Sequence, residues 1–553
     1  MKKIFSFIFV SILISPAFGQ NNSKKIATKL ARPKLVVGLV VDQMRWDYLY
    51  RFHDLYAANG GFRRLLGEGF SCENTFIPYM PTVTAAGHTC IYTGSVPAIH
   101  GIVGNDWFDN LTKQYVYCTS DTTVETLGSD NSKVGENSPR NMFATTIGDE
   151  LRLATNFKSK VVGIACKDRA SILPAGHNPT AAYWYDAKSG NFVSSTYYMD
   201  TLPDWVENFN GKHRVDSLYT KNWDLVEPKS VYEKYASETD QNDYEATPIT
   251  AGQNSFPYNL TQFIGKDYGK IMYTPYANTL TADMAIAALK GENLGKGETT
   301  DMLAISFSSP DYIGHAQGPN SWEQLDDYLR LDKEIERVLN ALDAQVGRGN
   351  YTVFLSADHG AAHAAGYSIA HKMPGGVFDG KAAKNDMNEQ LKQKYGFGNI
   401  IKDIMEYQVI LNDELLSHTE NINREDLTNW IINYLIKKPE VASAFAFNKL
   451  SQTILPEVQK QRITNGYFAQ RCGQIQIILK PGYFDGSKLG TTHGEWNPYD
   501  SHIPLVFYGW GIKTGSTNRE TYMTDIAATL AGLLHIQMPS GCIGNVVTEA
   551  LEN

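Results

Sequence analysis

Five short runs of the chain are almost wholly apolar: Lys34–Val41 (KLVVGLVV), Lys160–Ala165 (KVVGIA), Asp301–Phe307 (DMLAISF), Tyr351–Leu355 (YTVFL) and Ile503–Tyr508 (IPLVFY). Runs of this length without alternation fit strands buried on both faces. Helical patterns fall between and after them. The clearest follows Asn320-Ser321, with Leu325, Tyr328, Leu331, Ile335, Val338 and Leu342 spaced three or four apart and Gly347 just beyond. Another, after Thr524, puts Ile526, Leu530, Leu533 and Leu534 on one face. Strands alternating with helices predict an α/β fold, with a mainly parallel central sheet flanked by helices on both faces. Such sheets carry their chemistry in loops beyond the carboxyl ends of the strands.

Two stretches break the rhythm. Residues 171–275 are rich in Tyr, Asn, Asp and Trp, and residues 362–490 include an amphipathic segment near Glu425–Lys437. Both read as insertions that build a cap or rim on a catalytic domain spanning 34–545. Ahead of it, Lys2 and Lys3 precede an apolar run from Ile4 to Ile14 and the small residues Ala17 and Gly19. That is the pattern of an export signal over residues 1–19, followed by a polar leader over 20–33. About eleven residues are too few to span a bilayer that needs roughly twenty. No later stretch reaches that length, so the mature protein is expected in the periplasm or secreted, without a membrane span.

Composition changes the picture little. Of 553 residues, 42% are hydrophobic and 20% charged, which is ordinary for a globular enzyme. The net charge of −9 argues against a broad nucleic-acid-binding surface. Cys72, Cys90, Cys118, Cys166, Cys472 and Cys542 form no CxxC pair, and both disulfides and buried thiols remain open.

The strand ends hold the chemistry. The first apolar run stops at Asp42; the third is followed by Asp311 and then His315; the fourth by Asp358-His359-Gly360. Thr492-His493-Gly494 stands ahead of the fifth. Singly, each is a turn residue or a hydrogen-bonded histidine. Together, three carboxylates and three imidazoles at one sheet edge are the right supply for two zinc-like ions. Paired ions of this kind clamp the attacking and leaving oxygens of a displacement at phosphorus. A nucleophile is then needed, and the loop PYMPTVTAAGHTCIYTG offers Thr82 and Thr84 where a helix begins. A helix start favours an alkoxide, although a plain helix cap is the commoner use of such a threonine.

The segments LVVGLVVDQMRWDYL, PTVTAAGHTCIYTGSVPAIHGIVGN, SSPDYIGHAQGP, ADHG and GTTHGEWNPYDSHIPLVFYG stand in this order over nearly the whole mature chain. They resemble the alkaline phosphatase superfamily, in the branch shared by nucleotide pyrophosphatase/phosphodiesterases and alkaline phosphatases of the PafA type. The resemblance implies one zinc on Asp311, His315 and His493, and another on Asp42, Asp358 and His359. It selects Thr84, the second Thr of P-T-x-T, as nucleophile and additional ligand. It also implies that Asn105 donates to a phosphoryl oxygen. Manganese serves some relatives, so metal position is better defined than metal identity.

Within that branch, CKDRASILPAGH supplies Lys167 and Arg169, a pair that the PafA-like monoesterases place on phosphoryl oxygens and the diesterases lack. Charge supports this. Two zinc ions and three aspartates leave one positive charge, which the threonine alkoxide cancels. Lys167 and Arg169 then add two, matching a phosphomonoester dianion. The reading is therefore a two-zinc phosphomonoesterase acting through phosphothreonine on small-molecule esters, plausibly scavenging phosphate. A diesterase on the same scaffold is the alternative. A sulfatase would need C/S-x-P-x-R, and the nearest string, Asn137-Ser138-Pro139-Arg140, has the wrong order. A degenerate binder would have lost ligands that this chain keeps.

Overall fold

Every residue of β1 (Leu35–Val41) is buried. In the computed structural model, which describes residues 31–419 and 422–552, this strand stands near the middle of an 11-stranded sheet. The other long strands are β2 (Phe70–Phe76), β3 (Val161–Ala165), β4 (Ala181–Asp186), β5 (Asn191–Ser195), β6 (Asp301–Phe307), β7 (Tyr351–Ser356), β8 (Leu505–Gly509) and β9 (Gly515–Tyr522). The expected export signal over 1–19 and most of the leader over 20–33 lie outside the described residues.

Five strands run parallel at the centre, in the order β7-β1-β6-β3-β4. Leu35 lies opposite Tyr351 on one side and Asp301 on the other, so β1, β6 and β7 end at nearly one level. Asp42, Ser308 and Ala357 leave the sheet together. The fifth apolar run departs from the parallel pattern. Its Ile503 belongs to a two-residue strand paired with β2, and from Leu505 it runs antiparallel to β7, with Leu505 opposite Ser356. Its start therefore lies where its parallel neighbours finish, and the loop before it delivers His493 to the same edge.

The helices are α1 (Thr84–Thr93), α2 (Asp168–Ala175), α3 (Ser309–Gln317), α4 (Trp322–Gln345) and α5 (Asp525–Leu534). One group packs α1 against α2 and α5; another packs α4 against the helices Gly61–Glu68 and Tyr276–Gly291. The segment 171–275 is not wholly an insertion, because β4 and β5 within it extend the main sheet. Their sequences, AAYWYD and NFVSS, are nearly all buried, but the polar residues around them hide the strand signal. Residues 362–490 build a separate four-stranded antiparallel sheet from Ile401–Met405, Gln408–Leu411, Val441–Ala446 and Ile475–Leu479. Leu427, Ile431 and Leu435 of the helix Arg424–Leu435 belong to its own apolar core. All six cysteines are free, five of them buried.

Ser321 caps α4 as its position predicts, its Oγ accepting from Gln324 N at 3.1 Å. Ser321→Ala should lower unfolding free energy by about 1 kcal/mol, measured by urea titration, because one helix-end donor loses its partner.

Candidate active site

The strand ends and two helix starts converge on one buried pocket. Asp42 follows β1, Asp358 and His359 follow β7, and all three are fully buried. Asp311 and His315 lie one turn apart on α3, with His315 Nε2 3.2 Å from Asp311 Oδ1. His493 comes from the loop ahead of β8, and its ring stacks on that of His359 at 3.5 Å between centroids. One ligand atom each from Asp42, Asp358 and His359 lie within 4.8 Å of one another, as do those of Asp311, His359 and His493. By distance, His359 thus belongs to both clusters. His315 joins through Asp311, where the family resemblance places it directly.

The three imidazoles share one arrangement. His315 Nδ1 bonds Thr491 O at 2.8 Å, His359 Nδ1 bonds Gly360 O at 3.0 Å, and His493 Nδ1 bonds Thr82 O at 2.6 Å. A carbonyl can only accept, so each Nδ1 carries a proton, which leaves each Nε2 as the ring atom that can meet a metal ion. This is how metal-binding histidines are held in tautomer and direction. The carboxylates agree with that use. Both Asp42 oxygens and Asp358 Oδ2 are buried without a hydrogen bond, although Lys167 Nζ stands 2.7 Å from Asp42 Oδ2. Buried lone pairs left unbonded beside imidazole nitrogens fit divalent metal ions.

Electrostatics inside the pocket are divided. Burial pushes the Asp42 carboxyl well above the usual carboxylate range, and Asp358 beside it adds to the rise. Burial also raises Asp358 and Asp311, but their neighbours prevail. His359 and His88 hold Asp358 low, while His315 and Lys167 hold Asp311 well below its ordinary value. Burial lowers His493 strongly, with His359 and His315 adding to the effect, so this imidazole stays neutral.

Thr84 is the first residue of α1, and Val83 stands at the cap position. Its Oγ1 faces His359 Nε2 at 3.4 Å, at the dipole-positive end of a ten-residue helix. Thr82 is turned away, its Oγ1 donating to Glu495 O at 3.0 Å. The helix approaches closely because residue 87 is glycine: a Cβ there would meet Asp358 O at 2.4 Å. Asn105 Oδ1 accepts from Ala85 N at 3.0 Å, which turns its amide NH2 away from the helix. Lys167, at the cap of α2, reaches Asp311 Oδ2 at 2.5 Å and Asp42 Oδ2 at 2.7 Å, bridging the two clusters. Arg169 stands on the first turn of α2 and bonds the Tyr117 hydroxyl at 3.1 Å.

Sequence reading missed several supports. Gln43 binds both clusters, its N donating to Asp358 Oδ1 at 3.1 Å and its Nε2 to Asp311 Oδ1 at 2.8 Å. His88 lies 3.2 Å from Asp358 Oδ2. Tyr407, from the second sheet, donates to His493 O at 3.0 Å. Gln43 follows Asp42 directly and His88 stands four residues after Thr84, so adjacency was the available signal for both. Nothing local marks Tyr407.

The model of the family type I phosphodiesterase / nucleotide pyrophosphatase matches residues 36–500. The chain is 50% identical to alkaline phosphatase PafA of Elizabethkingia meningoseptica, over 94% of this chain and 95% of that one. It is also 50% identical to a protein of Myroides odoratus named calcium-transporting ATPase, over 95% and 96%. Alkaline phosphatase PhoV of Synechococcus elongatus is 47% identical over 95% and 94%. A crystal structure of wild-type PafA superposes with a TM-score of 0.92 at 49% identity, covering 95% of this chain and all of that one. Among the described residues, no helix is long and apolar enough to cross a membrane.

Metal-stripped protein should gain thermal stability when zinc is added, since ligand bound only by the folded state stabilises it. Dialysis should find about two ions per chain, and Asp42→Asn should shrink the gain. An unchanged melting temperature with zinc would rule out the metal assignment.

Proposed function

The chain belongs to the type I phosphodiesterase / nucleotide pyrophosphatase family, and on that premise we propose that it is an exported alkaline phosphatase that hydrolyses phosphate monoesters. The observation that carries this reading is the position of Thr84. Its hydroxyl is buried at a helix start and faces His359, the residue that both Asp/His clusters share. Asp42, Asp358 and His359 would hold one zinc ion, and Asp311, His315 and His493 the other. Bound there, the two ions supply Lewis acidity to the attacking and leaving oxygens.

The chain's own groups supply the rest. The Thr84 oxygen forms the new bond to phosphorus as the bond to the leaving oxygen breaks, giving phosphothreonine. Water then displaces Thr84 from phosphorus and inorganic phosphate departs. Asn105, Lys167 and Arg169 hold the three equatorial oxygens, where charge spreads in a loose transition state. The Lys167 ammonium already lies among the pocket carboxylates. Ions taken up by Asp42 and Asp311 would free it for the substrate. The buried backbone around Thr84 and the close packing of α1 on Asp358 limit movement of the nucleophile, as efficient attack requires.

Acid quenching during turnover should trap phosphate on the peptide holding Thr84. Thr84→Ser should keep substantial activity and Thr84→Ala should lose most of it; label on Thr82 would show the choice of nucleophile to be wrong. Replacing both Lys167 and Arg169 by Ala should cut monoester kcat/KM far more than diester kcat/KM. Charge-assisted contacts are worth about 1.5–3 kcal/mol each, so the monoester loss should be on the order of a hundredfold or more. An equal fall for both esters would favour the diesterase reading that the family name also allows.

A further inference from the structure

A short hairpin joins Asn105 to Arg169. Its strands, Asp106–Phe108 and Tyr115–Tyr117, pair antiparallel with Asp106 opposite Tyr117. Asn105 immediately precedes the hairpin, and Cys118, immediately after it, donates its N–H to Asn105 O at 2.9 Å. Tyr117 turns its hydroxyl toward α2. There the phenol donates to Asp168 Oδ1 at 2.5 Å and accepts from Arg169 Nη1 at 3.1 Å. Direct contact between the two charged groups is looser, with Arg169 Nη1 3.9 Å from Asp168 Oδ1.

This placement has a chemical consequence. Asp168 is the adjacent residue and the natural partner for the guanidinium. A carboxylate that bound Arg169 directly would occupy the same paired N–H groups that recognise two phosphoryl oxygens. With the phenol interposed, Asp168 takes the hydroxyl proton, and Arg169 is held through one nitrogen by a neutral acceptor. Burial and Asp168 both keep the phenol protonated, raising its pKa well above the ordinary value. The guanidinium is held at Nη1 and the side chain keeps 19% of its surface exposed, so donor capacity remains for a ligand.

We propose that Tyr117 is a positioning residue for the monoester reaction, which fixes Arg169 relative to Asn105 while keeping the guanidinium fork open toward the phosphoryl group. The proposal rests on the role given to Arg169 above. It makes the hairpin a gauge for the distance between two of the three oxygen-binding groups. Small displacements of such groups weaken contacts formed in the transition state.

The test uses the metal-loaded full chain and four forms: unaltered, Tyr117→Phe, Arg169→Ala and the double variant. Phenylalanine keeps the ring and its packing and removes only the hydroxyl. Tyr117→Phe should lower monoester kcat/KM about tenfold, the scale of one hydrogen bond to a charged group, and change diester kcat/KM less than about twofold. Affinity for inorganic phosphate, read as its inhibition constant, should fall in parallel. In the Arg169→Ala background the second substitution should add almost nothing, because its effect runs through Arg169. Equal losses on both esters, no loss on either, or full additivity in the double variant would each overturn the proposal. If Arg169→Ala itself spares the preference for monoesters, the reading of Arg169 fails along with it. If Arg169→Ala is selective and Tyr117→Phe is silent, only the positioning role fails.

Discussion

Three aspartates are buried side by side at one edge of the main sheet, and most of the surrounding structure answers to that arrangement. Carboxylates removed from water repel one another and lose hydration, which is tolerable only where cationic or metal partners converge on them. Asp42 shows the tension most clearly: it is fully buried, its carboxylate oxygens have no hydrogen bond, and it stands next to Asp358. The elements around it supply Lys167 from α2, His315 from α3 and His88 from α1. A pocket stabilised by apolar packing alone would have no reason to assemble these groups. The concentration of unpaired lone pairs is a sign of function, at the expense of stability.

Strand direction explains how the set is gathered. Parallel pairing of β1, β6 and β7 brings three chain exits to one level, and each exit carries an aspartate within a few residues. Antiparallel β8 then brings a loop to that level from the opposite sense, adding His493 without a further crossover. The fixed imidazole tautomers depend on this meeting of segments. Thr82 O, which orients His493, lies in the loop before α1, and Thr491 O, which orients His315, lies in the loop before β8. Each histidine is thus aimed by backbone from elsewhere or from its own turn, and backbone groups are harder to displace than side chains.

The second sheet has a part in the site as well. Tyr407 sits at its hairpin tip with φ of 61°, beside Glu406 at 48°, both in the left-handed region. Such conformations are uncommon for residues with side chains and are retained where the surroundings require them. Here the tyrosine hydroxyl meets the carbonyl of His493. The segment 362–490 therefore does more than cover the sheet edge, since it braces one of the histidines on which the pocket depends.

Much of this site is legible in the residues themselves. Buried runs ending in Asp, a threonine at a helix start and histidines near strand ends are local features, fixed by composition and spacing. Their types suit ion binding and hydrolysis, and the ordered motifs narrow the chemistry to one superfamily. Local pattern also located β1, β3, β6 and β7 to within a residue, because strands buried on both faces must be apolar throughout. It could not find β4 and β5, whose polar neighbours mask them, or the direction of β8. Apolar content reports burial and is the same for either strand direction. It could not tell Thr82 from Thr84 without the family pattern, since both are small hydroxyl residues in one loop. Only the folded chain separates them, by hydrogen-bonding one to Glu495 O and aiming the other at His359. The link from Tyr117 to Arg169 and the brace from Tyr407 to His493 join residues 52 and 86 apart in sequence. Contacts over such distances are set by packing of the whole chain, and no local spacing records them.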